Sequence, residues 1–238
     1  QRTITVPHII NSSQYDYVSV IDPVAMKEKR RITIVNGPGM VLFNPNGRYA
    51  YVPSSFTPEL SVIDTRSYRV IAHVRQASPF SPNLAVSPDG RQVWFTLKDS
   101  GKTQVMNALP PFGVTATLDT GPVTNHVALA DTLGGKFAYV TVGGLNVVKV
   151  YTTGDTPKLV ATIPTGALPH GIWASDDSSR IYVGLENGDA VDVIDTAANK
   201  VIAHAPVGQA PQALVYVSKA VPEGDGLTNL MPRSNSEP

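Results

Sequence analysis

Residues 60–96, LSVIDTRSYRVIAHVRQASPFSPNLAVSPDGRQVWFT, contain the pattern that decides the fold. Short runs in which apolar and polar residues alternate are separated by residues that favour turns, such as Ser78-Pro79 and Pro88-Asp89-Gly90. A period of two is typical of half-buried β-strands, and these runs lack the spacing of an amphipathic helix. The stretch therefore predicts four short antiparallel strands joined by tight turns.

The same pattern recurs along the whole chain. Asp22, Asp64, Asn107, Tyr151 and Asp195 occupy one place in it, at steps of 42 to 44 residues. A four-stranded unit that repeats at a period in the low forties is typical of a β-propeller blade. We therefore predict an all-β fold of the β-propeller class.

The number of strands predicts how many blades there are and how the ring closes. Each of four strand types occurs five times between residues 2 and 217, with the first three strands at the N-terminus and the last at 213–217. We expect five four-stranded blades, closed by a one-plus-three strand clasp between the termini. The alternative is a fragment of a larger propeller, for example a seven-bladed one. Residues 1–217 form the propeller in this interpretation, and residues 218–238 form an extended or disordered tail.

Composition excludes several classes of function. The chain has 238 residues with 19 basic and 19 acidic side chains, so it lacks the cationic excess that nucleic acid or an anionic membrane surface requires. Without cysteine it has no disulfide and no thiolate chemistry. It has no apolar run long enough for membrane insertion. Because Gln1 stands just before a predicted strand, we expect an exported, monomeric protein, periplasmic or extracellular, whose signal peptide has been removed.

Several repeats carry motifs of a known family. They include Ser61-Val62-Ile63-Asp64-Thr65, Ser87-Pro88-Asp89-Gly90-Arg91, Ala138-Tyr139-Val140-Thr141 and Pro169-His170-Gly171-Ile172. With these motifs the chain resembles the YVTN β-propeller repeat proteins of bacteria and archaea. The resemblance implies the propeller fold and export. It leaves function open, since the family includes binding proteins, surface proteins and relatives of quinoprotein amine dehydrogenase β chains. Seven blades are more usual in that family, so a count of five is a departure.

Candidate site residues are those that the repeats do not share. The strand before each Pro-Asp-Gly turn lies nearest the axis of a propeller, so its first residues border the channel mouth. We predict that six residues ring this mouth and hold a small ligand there: Met40, Asn83, Asn125, His126, His170 and Gln212. Of these, His126 and His170 are candidate ligands of a divalent metal, the one cofactor that the sequence suggests. The alternative is that these imidazoles only bond neighbouring backbone groups.

Other conspicuous residues have structural interpretations. Asp22, Asp64 and Asp195 end strands, where a short carboxylate accepts backbone N–H groups of the following turn. Trp94 and Trp173 are predicted to pack between blades, and the alternative is that they stack on a ligand. His73 and His204 lie on outer strands and are predicted to be exposed, and His8 is undecided.

Two functional hypotheses of different class follow. The first is a non-catalytic, exported binding or scaffold module that holds a protein, a carbohydrate or a small ligand at one end of the ring. The second is a propeller enzyme of the lactonase, lyase or hydrolase type, with His126 and His170 as general base or metal ligands. The first is favoured because the chain has no GxSxG or HExxH motif and no phosphate-binding loop.

Overall fold

The computed structural model describes residues 4–5 and 16–218. These residues form an all-β structure of five antiparallel sheets, each built from strands that are consecutive in the chain. Within this part of the chain the only helical element is the 3-10 turn Gly143–Leu145. None of the described segments is a helix with the length and apolar character needed to cross a bilayer.

The five sheets follow the predicted period. The first sheet contains β1 (Ile4–Thr5), β2 (Tyr17–Asp22) and β3 (Lys27–Thr33). The second contains β4 (Leu42–Phe43), β5 (Tyr49–Pro53), β6 (Glu59–Asp64) and β7 (Arg69–Arg75). The third contains β8 (Leu84–Val86), β9 (Gln92–Leu97), β10 (Lys102–Asn107) and β11 (Val114–Asp119). The fourth contains β12 (Thr124–Thr132), β13 (Gly135–Val142), β14 (Val147–Thr152) and β15 (Leu159–Pro164). The fifth contains β16 (Pro169–Ala174), β17 (Arg180–Leu185), β18 (Ala190–Asp195) and β19 (Lys200–Pro206).

Each sheet packs face to face on the next one, and the hydrophobic core is divided among these interfaces. In β9, Phe95 belongs to a cluster shared with the second sheet, whereas its neighbour Trp94 belongs to a cluster shared with the fourth. This follows from the alternation of side chains along a strand, which supplies apolar groups to both faces. The predicted packing role of Trp94, which is fully buried, is confirmed. Stacked, consecutive four-stranded sheets of this kind make a propeller-like fold.

Strand ends are fixed by the carboxylates that the repeat pattern singled out. Asp64 Oδ1 accepts hydrogen bonds from the backbone N–H groups of Arg66 and Ser67, both at 2.9 Å. Asp22 accepts N–H groups of the turn that follows it in the same way, and so does Asp195. The structural interpretation of these three residues is therefore confirmed.

Hydroxyl groups join the first strand of one sheet, here called the inner strand, to that of the next. The Thr141 hydroxyl accepts the His126 N–H at 2.8 Å within its own sheet and donates to the His170 carbonyl of the fifth sheet at 2.7 Å. The Thr96 hydroxyl donates to the Asn125 carbonyl of the fourth sheet at 2.6 Å. Both threonines are fully buried. These bonds fix the spacing of the third, fourth and fifth sheets at one end of the molecule.

The strand predicted at 213–217 is not formed, which is a correction to the predicted closure. No strand is assigned in this segment, although it lies against the fifth sheet. A Cβ atom added to Gly171 would lie 2.7 Å from the Gln212 carbonyl oxygen, and one added to Gly184 would lie 2.8 Å from that of Pro211. Only glycine permits this approach of the two backbones. The strand would need hydrogen-bond partners in the N-terminal stretch, of which Ile4 and Thr5 alone are described.

Within the described residues, no strand pairing joins the first sheet to the fifth. The five-blade count and the clasp therefore stay predictions. Of the first predicted strand at the N-terminus, the structure describes only β1, which pairs with β2. His8 and the tail beyond Ser218 lie outside the described residues.

We expect Thr141→Val to lower the free energy of unfolding by about 1–3 kcal/mol, because the substitution keeps the shape and leaves the buried N–H of His126 unpaired. Thr33→Val is the matched control, since Thr33 is exposed on β3. Urea denaturation of the two variants and the parent protein measures the difference. Equal stability of Thr141→Val and Thr33→Val would show that the cross-sheet bonds contribute nothing.

Candidate functional site

A cavity of about 630 Å³ lies where the inner strands of four sheets converge. Residues from β4, β8, β12 and β16 line it, together with Ala213 and Leu214 of the last described segment. Most of the lining side chains are apolar: Met40, Leu42, Phe43, Leu84, Ala85, Val86, Pro88, Val127, Ala128, Leu129, Ile172, Trp173, Ala174, Ala213 and Leu214. The cavity is thus a largely apolar chamber on the axis of the propeller-like fold.

Three of the six predicted mouth residues border this cavity. Met40, Asn83 and His126 are among its lining residues, at the ends where the inner strands begin. Asn83 Nδ2 lies 3.7 Å from the Met40 sulfur. Asn125, His170 and Gln212 are not among the lining residues. The structure therefore brings three of the six predicted residues to the cavity, and the other three do not line it.

The two asparagines hold adjacent sheets together. Asn83 Oδ1 accepts the Val127 N–H at 2.9 Å, from the third sheet to the fourth. Asn125 Nδ2 donates to the Pro169 carbonyl at 2.9 Å, from the fourth sheet to the fifth. Asn125 is fully buried, and its Oδ1 has no hydrogen-bond partner among the described residues. Asn83 and Asn125, both predicted to bind a ligand, thus each use a side-chain atom in a hydrogen bond between sheets.

A β-bulge brings His126 and His170 together. On β12, Asn125 and His126 lie opposite the single residue Thr141, because the register shifts between Thr124 and Val127. A similar shift affects β16 between Pro169 and Ile172. Bulges re-aim side chains, and here they place the imidazole rings of His126 and His170 with centroids 4.7 Å apart and planes tilted by 51°.

A carboxylate that the sequence analysis did not single out lies behind His170. Glu186 Oε2 is 3.4 Å from His170 Nδ1. The two atoms are not hydrogen-bonded, and Nδ1 is buried without a hydrogen-bond partner among the described residues. The other carboxylate oxygen, Oε1, accepts Gln212 Nε2 at 2.7 Å. His126, His170, Glu186 and Gln212 therefore form one polar group at the mouth.

Both imidazoles are neutral at pH 7. Burial lowers the pKa of His126 to about 3, and the nearby charges of His170 and Lys98 act in the same direction. Burial also lowers the pKa of His170, where Lys98 adds to the effect and Glu186 opposes it. Neutral imidazole is the form that binds metals and accepts hydrogen bonds.

The predicted metal role has limited support in the geometry. In residues 16–218 there is no group of three or more His, Asp or Glu side chains placed to hold one ion. Protein zinc sites use three or four protein ligands, whereas the two histidines supply two. Metal binding by His126 and His170 stays a prediction.

Sequence reasoning favoured the wrong one of two roles for Trp173. Its predicted role in packing between blades is wrong, because the side chain is 46% exposed and lines the cavity. The pairings of β4, β8, β12 and β16 with their neighbours show that Leu42, Ala85 and Ala128 occupy the equivalent place. An alignment of the repeats could have shown that the largest aromatic side chain stands here in one sheet only. The predicted exposure of His73 and His204 is confirmed.

Comparison with known proteins supports the fold. No family model matches the chain. Over 96 residues it is 30% identical to the uncharacterized protein YncE of Salmonella typhi, a match that covers 40% of this chain and 26% of that protein. The chain thus matches about a quarter of the length of this curated relative.

Solved structures match over more of the chain. A functionally unknown protein from Desulfotomaculum acetoxidans DSM 771 has a TM-score of 0.73 at 14% identity, covering 86% of this chain and 67% of that one. Hydrazine synthase of Kuenenia stuttgartiensis has a TM-score of 0.69 at 18% identity, covering 84% and 71%. Dihydro-heme d1 dehydrogenase NirN in complex with DHE has a TM-score of 0.64 at 18% identity, covering 81% and 42%. At these identities the likeness shows the propeller-like fold alone.

The lowered pKa of His126 predicts how stability depends on pH. In the unfolded chain the imidazole has a pKa of about 6.5, so between pH 6.5 and 3 the unfolded state binds more protons than the folded state. The contribution of His126 to stability is therefore complete above pH 6.5 and is lost as the pH falls. We expect the parent protein to lose about 1–2 kcal/mol more than His126→Asn between pH 7 and pH 5, measured by urea denaturation at each pH.

The control for this prediction is His73→Asn, because His73 is exposed on β7. This variant should keep the pH dependence of the parent protein. Parallel stability curves for the parent and His126→Asn would contradict a buried, neutral His126.

Proposed function

We propose that this chain is a non-catalytic binding module that holds a small, largely apolar molecule in its central cavity. The observation that supports this proposal is the cavity of about 630 Å³ among the inner strands. Ligand sites are commonly pockets of about 300–1,000 Å³ with apolar walls and a few placed polar groups. Here those polar groups include Asn83 and His126 at one end and Ser175 and Asp176 at the other.

The lining favours a small molecule over a carbohydrate. Carbohydrates expose many hydroxyl groups that need hydrogen-bond partners, and burying unpaired polar groups costs free energy. The walls formed by Leu84, Val127 and Ile172 offer no such partners. A protein partner on the outer surface of the sheets is compatible with this proposal and stays a prediction, as does export to the periplasm or the cell exterior.

The enzyme alternative has weaker physical support. A general base works best when its pKa is close to the operating pH. Burial and neighbouring charges lower the pKa of His126 to about 3, so it is a weak base at neutral pH. Catalysis by His126 would therefore require a change in its surroundings when the substrate binds.

The complete ring belongs to the proposal as well. Inner strands of four sheets and the segment containing Ala213 and Leu214 border one cavity, which is what five blades around one axis would produce. Tyr216 of the same segment stacks on Tyr182 of β17, with ring centroids 5.5 Å apart. This supports a fifth inner segment beside the N-terminal strands, in a ring of YVTN type closed by the chain ends.

Filling the cavity tests the binding function. We expect saturable binding of the uncharged probe N-phenyl-1-naphthylamine to the parent protein, detected as an increase in its fluorescence. Ala85→Phe should abolish this binding, because Ala85 lines the cavity and the added ring would occupy part of its volume. Ala198→Phe, in an exposed turn, should bind like the parent. Equal binding by Ala85→Phe, or no binding by the parent, would contradict the proposed function.

Distance measurement tests the closure. The chain has no cysteine, so spin labels can be placed on Thr5→Cys and Val215→Cys without background. Neighbouring strands of one sheet lie about 5 Å apart, so the two labels should be within about 20 Å of each other if 213–217 joins the first sheet. Val215→Cys with Leu133→Cys, on an exposed turn, serves as the comparison pair. A distance for the 5/215 pair as long as that for the comparison pair would contradict the clasp.

A further inference from the structure

The cavity has one charged lining residue among those that the structure describes. Asp176 follows Ser175 at the end of β16, and the remaining lining side chains are apolar or uncharged at neutral pH. His126 is the one other titratable group in the lining, and burial keeps it neutral. The charge that a ligand meets on the cavity wall is therefore the negative charge of Asp176.

The Asp176 carboxylate is exposed and has no partner among the described residues. No hydrogen bond or ion pair to this side chain is formed within residues 16–218, whereas its neighbour Asp177 accepts hydrogen bonds from Ser175 and Ser179. Nearby Asp131 lies 3.9 Å from the ammonium group of Lys136. Asp176 is thus the carboxylate at this end that is left for a ligand.

An exposed aromatic ring lines the same cavity as this carboxylate. Trp173 precedes Asp176 by three residues, lines the same cavity and is 46% exposed, which is unusual for tryptophan in a core strand. The indole face attracts cations through its quadrupole, and tryptophan is the side chain with the strongest effect of this kind. An indole face and an unpaired carboxylate at one end of an apolar chamber are complementary to an organic cation.

The other end of the cavity is less favourable for a cation. Lys98 directly follows β9, and its backbone N–H donates a hydrogen bond to the Phe80 carbonyl at 3.2 Å. Its charge acts on both His126 and His170, lowering the pKa of each. A cationic group is therefore less favoured near His126 than near Asp176.

We propose that the cavity selects a small organic monocation, an amine or quaternary ammonium with an apolar body, whose charged group lies between Trp173 and Asp176. This inference rests on the proposed ligand-binding function of the same cavity. The apolar body occupies the chamber between the inner strands, and the neutral mouth at His126 faces its uncharged end.

Calorimetric titration with a matched pair of probes tests the charge preference. Benzyltrimethylammonium carries the charge, and neopentylbenzene is its uncharged isostere. We expect the parent protein to bind the cation about tenfold more tightly than the isostere, the combined effect of a cation–π contact with Trp173 and attraction to Asp176. Asp176→Asn should remove this preference while leaving the affinity for neopentylbenzene unchanged, and Trp173→Leu should reduce it.

Asp119→Asn is the charge-matched control, because Asp119 lies exposed on the outer strand β11. It should keep the preference of the parent. Equal affinity for the two probes, with no effect of Asp176→Asn, would overturn the selection of a cation and leave the cavity as a binding site. Failure of the parent to bind either probe, when N-phenyl-1-naphthylamine also fails to bind, would overturn the proposed function itself.

Discussion

The buried hydroxyl groups of Thr96 and Thr141 hold the inner strands at the distance on which the rest of the structure depends. Each hydroxyl donates to a carbonyl of the next sheet, at 2.6 and 2.7 Å, so the third, fourth and fifth sheets are joined by directional bonds as well as by apolar packing. Apolar contact alone is non-directional and would not fix the spacing. The central cavity is the space that this spacing leaves open.

The same bonds decide which polar groups remain available to a ligand. Asn83 and Asn125 add two more bonds between adjacent inner strands, so these side chains serve mainly to position the sheets. At the mouth the cavity is lined by the His126 ring, which burial keeps neutral, by the Asn83 side chain and by the apolar Met40. A charged group faces the cavity only at the far end, where Asp176 stands. The cavity is therefore apolar along its walls and electrically asymmetric along its axis, a combination that suits recognition better than acid–base chemistry at neutral pH.

Much of the fold was predictable because its signals are local. Alternating runs in residues 60–96 predict strands since each strand supplies side chains to two neighbouring sheets, as Trp94 and Phe95 do. Asp64 ends its strand through bonds to residues two and three positions along the chain, which a sequence pattern can show. The segment at 213–217 was harder to predict. Apolar and polar residues alternate in it as clearly as in the other strands, but a strand forms only when it has a partner to pair with. Such a partner comes from a distant part of the chain.

The sequence by itself determined the class of fold, the period of its sheets and the end of the molecule where His126 lies. Only the tertiary structure decided which of these residues face a ligand. The bulges on β12 and β16 bring His126 and His170 to a ring separation of 4.7 Å, and a bulge depends on how two strands pair, which alternation alone does not specify. Trp173 and Trp94 have the same side chain and both lie on strands, yet one is 46% exposed in the cavity and the other is fully buried. The difference arises because Trp173 lies on an inner strand that borders the cavity, whereas Trp94 lies on the second strand of its sheet and packs against the neighbouring sheet.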